Sequence, residues 1–121
     1  MISAQVKGIY TAEMDELERY VPEFRDEFSV WLRVLVGPRG TEGEESFDVN
    51  VCTPRWLERR VHQEGFVIGT HRLIVSTYDP AQIRTVLVKL IEGHSGDTWA
   101  EVAHKVGTIG LWEFEDRHAA L

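Results

Sequence analysis

The side chains best placed to do chemistry are a single cysteine, Cys52, and five histidines: His62, His71, His94, His104 and His118. A thiol turns nucleophilic when its pKa falls, and Cys52 stands directly before Thr53-Pro54, where a helix N-terminus would favour the thiolate. A lone cysteine in a strand beside β-branched residues is more often a small buried hydrophobe, and that is the expectation for Cys52. The histidines form no His-Glu-x-x-His and no pair at metal-ligand spacing on one helix face, so surface or cap positions are expected for them. There is no Gly-x-Ser-x-Gly elbow, P-loop or dinucleotide fingerprint. Gly37-Pro38-Arg39-Gly40 lacks the lysine and following helix of a phosphate cradle. No catalytic residue, metal or cofactor is expected.

The remaining chemistry is charge. Twenty acidic against 13 basic residues give a net charge of −7, which opposes binding to nucleic acid. The excess lies mainly in the N-terminal half, where residues 1–27 hold seven acidic and three basic side chains, while Arg55, Arg59 and Arg60 make a mildly basic patch. Glu42, Glu44, Glu45 and Asp48 cluster without the spacing of an EF-hand loop. Acidic groups on a glycine-rich hairpin beside an aromatic such as Trp56 would suit docking to a basic protein, since charge speeds encounter and an aromatic anchors it.

These side chains must be positioned by elements that the hydrophobic pattern outlines. Ile2 to Tyr10 reads as a strand with Ile2, Ala4 and Val6 on one side and a kink at Gly8. Met14, Leu17 and Val21 recur at helical spacing, which predicts a short helix or turn stopped by Pro22. Phe28 to Val36 alternates strictly and predicts a central strand, whose second face, bearing Trp31 and Leu35, must be partly covered. GPRGTEG then predicts a hairpin into the strand of Phe47, Val49 and Val51. Thr53-Pro54 caps a helix from Pro54 to about His62, with Trp56, Leu57 and Val61 facing the sheet. His71 to Tyr78 reads as a strand with Leu73 and Val75 on one face and Ile74 on the other.

Asp79-Pro80 repeats the capping device before Ile83, Val86, Leu87, Leu90 and Ile91. Thr98 and Glu101 open another helix bearing Trp99, Val102, Ala103 and Val106, and the tail of Trp112 and Phe114 docks on the core. The expected fold is α+β, an antiparallel sheet of about four strands with two or three helices mainly on one face.

At 121 residues, with 43% hydrophobic and 27% charged, one globular domain spanning 1–121 is expected. The start MISAQVKGIY lacks a secretory pattern, no run is long enough to span a bilayer, and the single cysteine suits a reducing compartment. The expectation is a cytoplasmic protein without a membrane partner.

Gly37-Pro38-x-Gly40, Glu45-Ser46-Phe47-Asp48-Val49, Val51-Cys52-Thr53-Pro54-x-Trp56-Leu57, His71-Arg72-Leu73-Ile74-Val75, Thr98-Trp99-x-Glu101-Val102-Ala103 and Trp112-Glu113-Phe114-Glu115-Asp116 together resemble the bacterial immunity protein 8 family. The resemblance runs from about Phe28 to Asp116. It implies an inhibitor of a polymorphic or contact-dependent toxin, with a cognate toxin domain as partner and no enzymatic activity. Many nucleic-acid-attacking toxins are basic, which the acidic balance complements. The candidate partner-binding residues are Glu42, Glu44, Glu45, Asp48, Trp56, Glu113, Glu115 and Asp116. The alternative is a small α+β enzyme using Cys52 or a histidine in a pocket between sheet and helices.

Overall fold

The structure, a computed structural model, describes residues 1–115. Period-2 alternation sets up three long strands, β1 (Ile2–Thr11), β2 (Ser29–Pro38) and β3 (Glu45–Cys52), paired antiparallel with β2 in the middle. The chain continues through α1 (Pro54–Glu64), β4 (Arg72–Ile74), α2 (Pro80–Glu92), β5 (Ser95–Gly96), α3 (Trp99–Val106) and β6 (Leu111–Trp112). The sheet order is β4-β3-β2-β1-β5, and β6 also pairs with β3.

Two expectations need correction. The sheet is mixed and larger than anticipated, because β4 lies parallel to β3 through Asn50↔Arg72, Val51↔Leu73 and Cys52↔Ile74. A tight reversal would have made that pair antiparallel; here α1 intervenes, carries the chain back and lets the next strand run in the same direction. Only Arg72–Ile74 of the expected 71–78 strand pairs, although Leu73 and Val75 do face the core and Ile74 faces solvent. The second correction concerns α1, whose apolar residues were expected over the sheet. None of its side chains is buried, and Val61 is 43% exposed. The helical spacing of Met14, Leu17 and Val21 yields only a 3-10 turn at Leu17–Arg19, in which Leu17 is buried while Met14 and Val21 are exposed.

The core lies between one sheet face and two helices. Leu32, Val34 and Val36 of β2 and Phe47, Val49 and Val51 of β3 meet Ile83, Leu87 and Ile91 of α2 and Val102, Ala103 and Val106 of α3. Full burial of each Val, Leu, Ile or Phe contributes about 1.5–3 kcal/mol relative to exposure. In β1 the register shifts between Val6 and Gly8, and this bulge turns Ile9 and Thr11 onto the same buried face as Ala4.

The helix ends follow the sequence. Thr53 Oγ1 accepts from the Trp56 N–H (3.4 Å) and also from the Phe28 N–H (3.3 Å), so one hydroxyl caps α1 and fixes the entry to β2. Gly65 ends α1 at φ 89°, the left-handed conformation that glycine adopts without a Cβ clash. Asp79 accepts from the Gln82 N–H (3.2 Å), and Thr98 accepts from the Glu101 N–H (3.2 Å) while Glu101 reaches back to the Asp97 N–H (3.2 Å).

Tyr78 secures the Leu17 turn, its hydroxyl donating to the Leu17 carbonyl at 2.7 Å and its ring meeting Tyr20 and Phe28 edge-on. Burial, then the neighbouring Tyr20 and Glu18, push its pKa up to about 12. The folded state thus holds this proton more tightly than the unfolded chain. That stability is complete below about pH 10 and is lost as the pH rises towards about 12. Tyr78→Phe should lower stability by about 1 kcal/mol at neutral pH and remove this part of the alkaline loss, as urea melts at neutral and alkaline pH will show.

Candidate functional site

Of the acidic residues singled out above, several are engaged within the fold. Glu45 lies on the helix-covered face of β3, where its Oε1 accepts from the indole N–H groups of Trp99 (2.6 Å) and Trp112 (3.0 Å). Trp112 in turn stacks on Phe47 at 6.3 Å and meets Phe114 edge-on at 5.8 Å. Glu113 donates its N–H to the Ser46 carbonyl (3.1 Å) and accepts the Ser46 N–H on its own carboxylate (2.7 Å), extending the β3–β6 pairing. Asp48 is ion-paired with Arg33 opposite it on β2 at 3.1 Å. Glu42 and Glu44 are exposed at the hairpin end, Glu115 is half-buried, and Asp116 lies outside the described residues.

The structure does not bring Trp56 to this hairpin. Trp56 follows the far end of β3, and the aromatic beside the acidic tip is Trp99, which with Pro38, Thr41, Gly43, Glu44 and Glu45 lines an open depression of about 470 Å³. Its helical spacing placed Trp99 in the core, and only the hydrogen bond to Glu45, which lies far away in sequence, reveals this position.

A second constellation occupies the opposite sheet face. Trp31 of β2 pairs with Asn50 of β3, and Arg72 of β4 is in register with the same Asn50. The Arg72 guanidinium lies 5.7 Å from the Trp31 ring and 5.5 Å from the Trp56 ring, bridging the two indoles. Its Nη1 donates to Asn50 Oδ1 (2.6 Å) and its Nε to the Ile68 carbonyl (2.6 Å); Asn50 Nδ2 in turn donates to Ser29 Oγ (2.9 Å). The Arg60 guanidinium also lies 5.9 Å from the Trp56 ring and pairs with Glu64 at 3.4 Å. The second face of β2 is thus covered by α1 and Arg72 at one end, while Trp31 remains 46% exposed. No single segment carries this cluster, so sequence patterning gave no signal for it beyond the exposed phase of Trp31.

Cys52 is buried, and burial pushes its thiol up, against the opposing pull of the nearby Arg72. It is therefore a protonated thiol at neutral pH. His71 bonds through Nε2 to the Gly107 carbonyl (2.8 Å) and sits at φ 61°, joining the β4 entry to the end of α3. His104 meets Trp112 edge-on at 5.6 Å, and His118 lies outside the described residues. Among the described residues no group of three or more His, Cys, Asp or Glu side chains is gathered for a metal, and no helix is long and apolar enough to cross a membrane.

The arrangement defines an α+β protein with a mixed sheet, helices α2 and α3 on one face and an aromatic-arginine cluster on the other. Comparison with known families places it further: the chain matches the family Immunity protein 8 over residues 4–117 and belongs to it. No curated protein and no solved structure matches it.

Two outcomes follow for the engaged groups. Glu45→Ala leaves two indole N–H groups without their acceptor and should cost about 1–3 kcal/mol in urea unfolding, with a shift in tryptophan emission. Cys52 should react with a thiol reagent at neutral pH only at a rate that rises with denaturant, in step with unfolding.

Proposed function

We propose that this chain is the immunity protein of a bacterial polymorphic or contact-dependent toxin system, a single domain that binds its cognate toxin domain in the cytoplasm and neutralises it. Membership of the immunity family over residues 4–117 carries this reading. The net charge of −7 supports a basic toxin, since the field of the whole protein raises the encounter rate with an oppositely charged partner. Glu42 and Glu44, exposed at the hairpin tip beside the Trp99 depression, are the candidate carboxylates free to face such a partner. Glu45, Asp48 and Glu113 support that rim from within, through the indole, arginine and backbone contacts described above. A non-enzymatic role is in keeping with a buried, protonated Cys52.

The test is calorimetry and stopped-flow with the toxin domain encoded by the neighbouring gene. A one-to-one complex and protection of cells producing the toxin are expected; absence of both would refute the reading. Glu42→Lys with Glu44→Lys removes two negative charges and adds two positive ones. It should slow association by about tenfold at low salt, with the difference shrinking as salt rises. An unchanged on-rate would remove these two residues from the encounter.

A further inference from the structure

We propose that the toxin is anchored on the sheet face opposite α2 and α3, at the Trp31–Arg72–Trp56 stack, and that the toxin segment seated there presents a carboxylate beside a large apolar side chain. This rests on the neutralising reading above and adds where the complex is held together.

Scattered exposed apolar residues are ordinary, but here they converge. Trp31 is 46% exposed, and Phe66 and Ile68, in the segment joining α1 to β4, are 66% and 67% exposed. Trp31, Trp56, Phe66 and Ile68 line one open depression of about 330 Å³ with Arg72. On its other side Trp31 lines a smaller depression of about 80 Å³ that includes the exposed Met14, held at φ 66°. Trp31 is thus a ridge between two hollows. Tryptophan and arginine are the residues most enriched where truncation costs a protein interface most, and such anchors sit among apolar neighbours that exclude water.

The chemistry of the occupant follows from Arg72. Neighbouring arginines each have a carboxylate: Arg33 has Asp48 at 3.1 Å, Arg59 has Glu27 at 2.9 Å and Arg60 has Glu64 at 3.4 Å. Among the described residues, none lies within ion-pair distance of Arg72. Two hydrogen bonds and two indole faces already fix its guanidinium, so little rotamer freedom remains to be lost on binding. A guanidinium has five N–H donors; Nε and Nη1 are engaged by Ile68 and Asn50 and the Cys52 thiol lies beside the group, which leaves donors over for a partner. A partner carboxylate completes it, while an apolar neighbour of that carboxylate fills the hollow between Trp31 and Phe66. The Glu42–Glu44 tip belongs to the opposite end of β3, so it acts on approach and this face on residence.

The test uses the toxin domain encoded by the neighbouring gene, with dissociation constants and off-rates measured for wild type and variants. Trp31→Ala with Phe66→Ala should weaken binding on the order of 100-fold, mostly through faster dissociation, and Phe66→Ala alone by about tenfold. Phe66 is largely solvent-facing and Trp31 about half so, and thermal melts of the variants verify that the fold persists. Arg60 lines the same depression, so Arg60→Glu should weaken binding by about tenfold, and unchanged or tighter binding would overturn the stated chemistry. Wild-type binding retained within about threefold in both alanine variants places the anchor elsewhere and overturns the inference while leaving neutralisation intact. If wild type itself does not bind, the neutralising reading falls and this anchor falls with it.

Discussion

One strand edge with two partners organises this protein. The outer edge of β3 pairs antiparallel with β6 at Phe47 and Asp48 and parallel with β4 from Asn50 to Cys52. Backbone groups on a strand inside a fold need hydrogen-bond partners, so both short segments are required to satisfy the edge. The Asn50 N–H donates to the His71 carbonyl (2.9 Å), the Val75 N–H to the Cys52 carbonyl (2.9 Å) and the Glu113 N–H to the Ser46 carbonyl (3.1 Å). The approach of β6 requires a small residue at Gly110, where a Cβ would come within 2.8 Å of Val49 Cγ2.

Both side-chain constellations derive from that shared edge. Because β6 lies beside the start of β3, Trp112 stacks on Phe47, and the Glu45 carboxylate is caught between two indole N–H groups. Because β4 lies beside its end, Arg72 reaches Asn50 and stands between Trp31 and Trp56. The two clusters fall on opposite faces since residues 45 and 50 differ by an odd number in a period-2 strand. One helps close the core, and the other leaves an arginine and large apolar groups open to solvent.

Charge has a divided role in such a molecule. Glu45 and Asp48 read in the sequence as part of one acidic cluster with Glu42 and Glu44, yet these two, like Glu113, are bound to indoles, an arginine or backbone N–H groups. Exposed ion pairs such as Arg33–Asp48 contribute only about 0–1 kcal/mol, so their effect lies in fixing side-chain positions and trimming the surface field. The family is that of immunity proteins, and this division separates the exposed charges of the hairpin tip from those committed to the fold.

The sequence by itself determined the local structure: β1 to β3 from alternation, α1, α2 and α3 from Thr53, Asp79 and Thr98 caps and helical periodicity, and the buried Trp112 from its phase. Those features depend on neighbouring residues and on solvent alone. It also carried the family, through motifs spread along the chain. The parallel placement of β4 was legible in principle from the strand-helix-strand order. Its short pairing was not, because pairing length depends on how much edge β6 leaves free. Of the short helix or turn at Met14, Leu17 and Val21, the turn formed, because Tyr78 and the core engage Leu17 alone. Only the tertiary structure decided that Trp99, not Trp56, lies beside the acidic tip, and that Arg72 meets Trp31 and Trp56. Those contacts join residues tens of positions apart, and no periodicity within one segment encodes which distant side chain a sheet register will bring alongside.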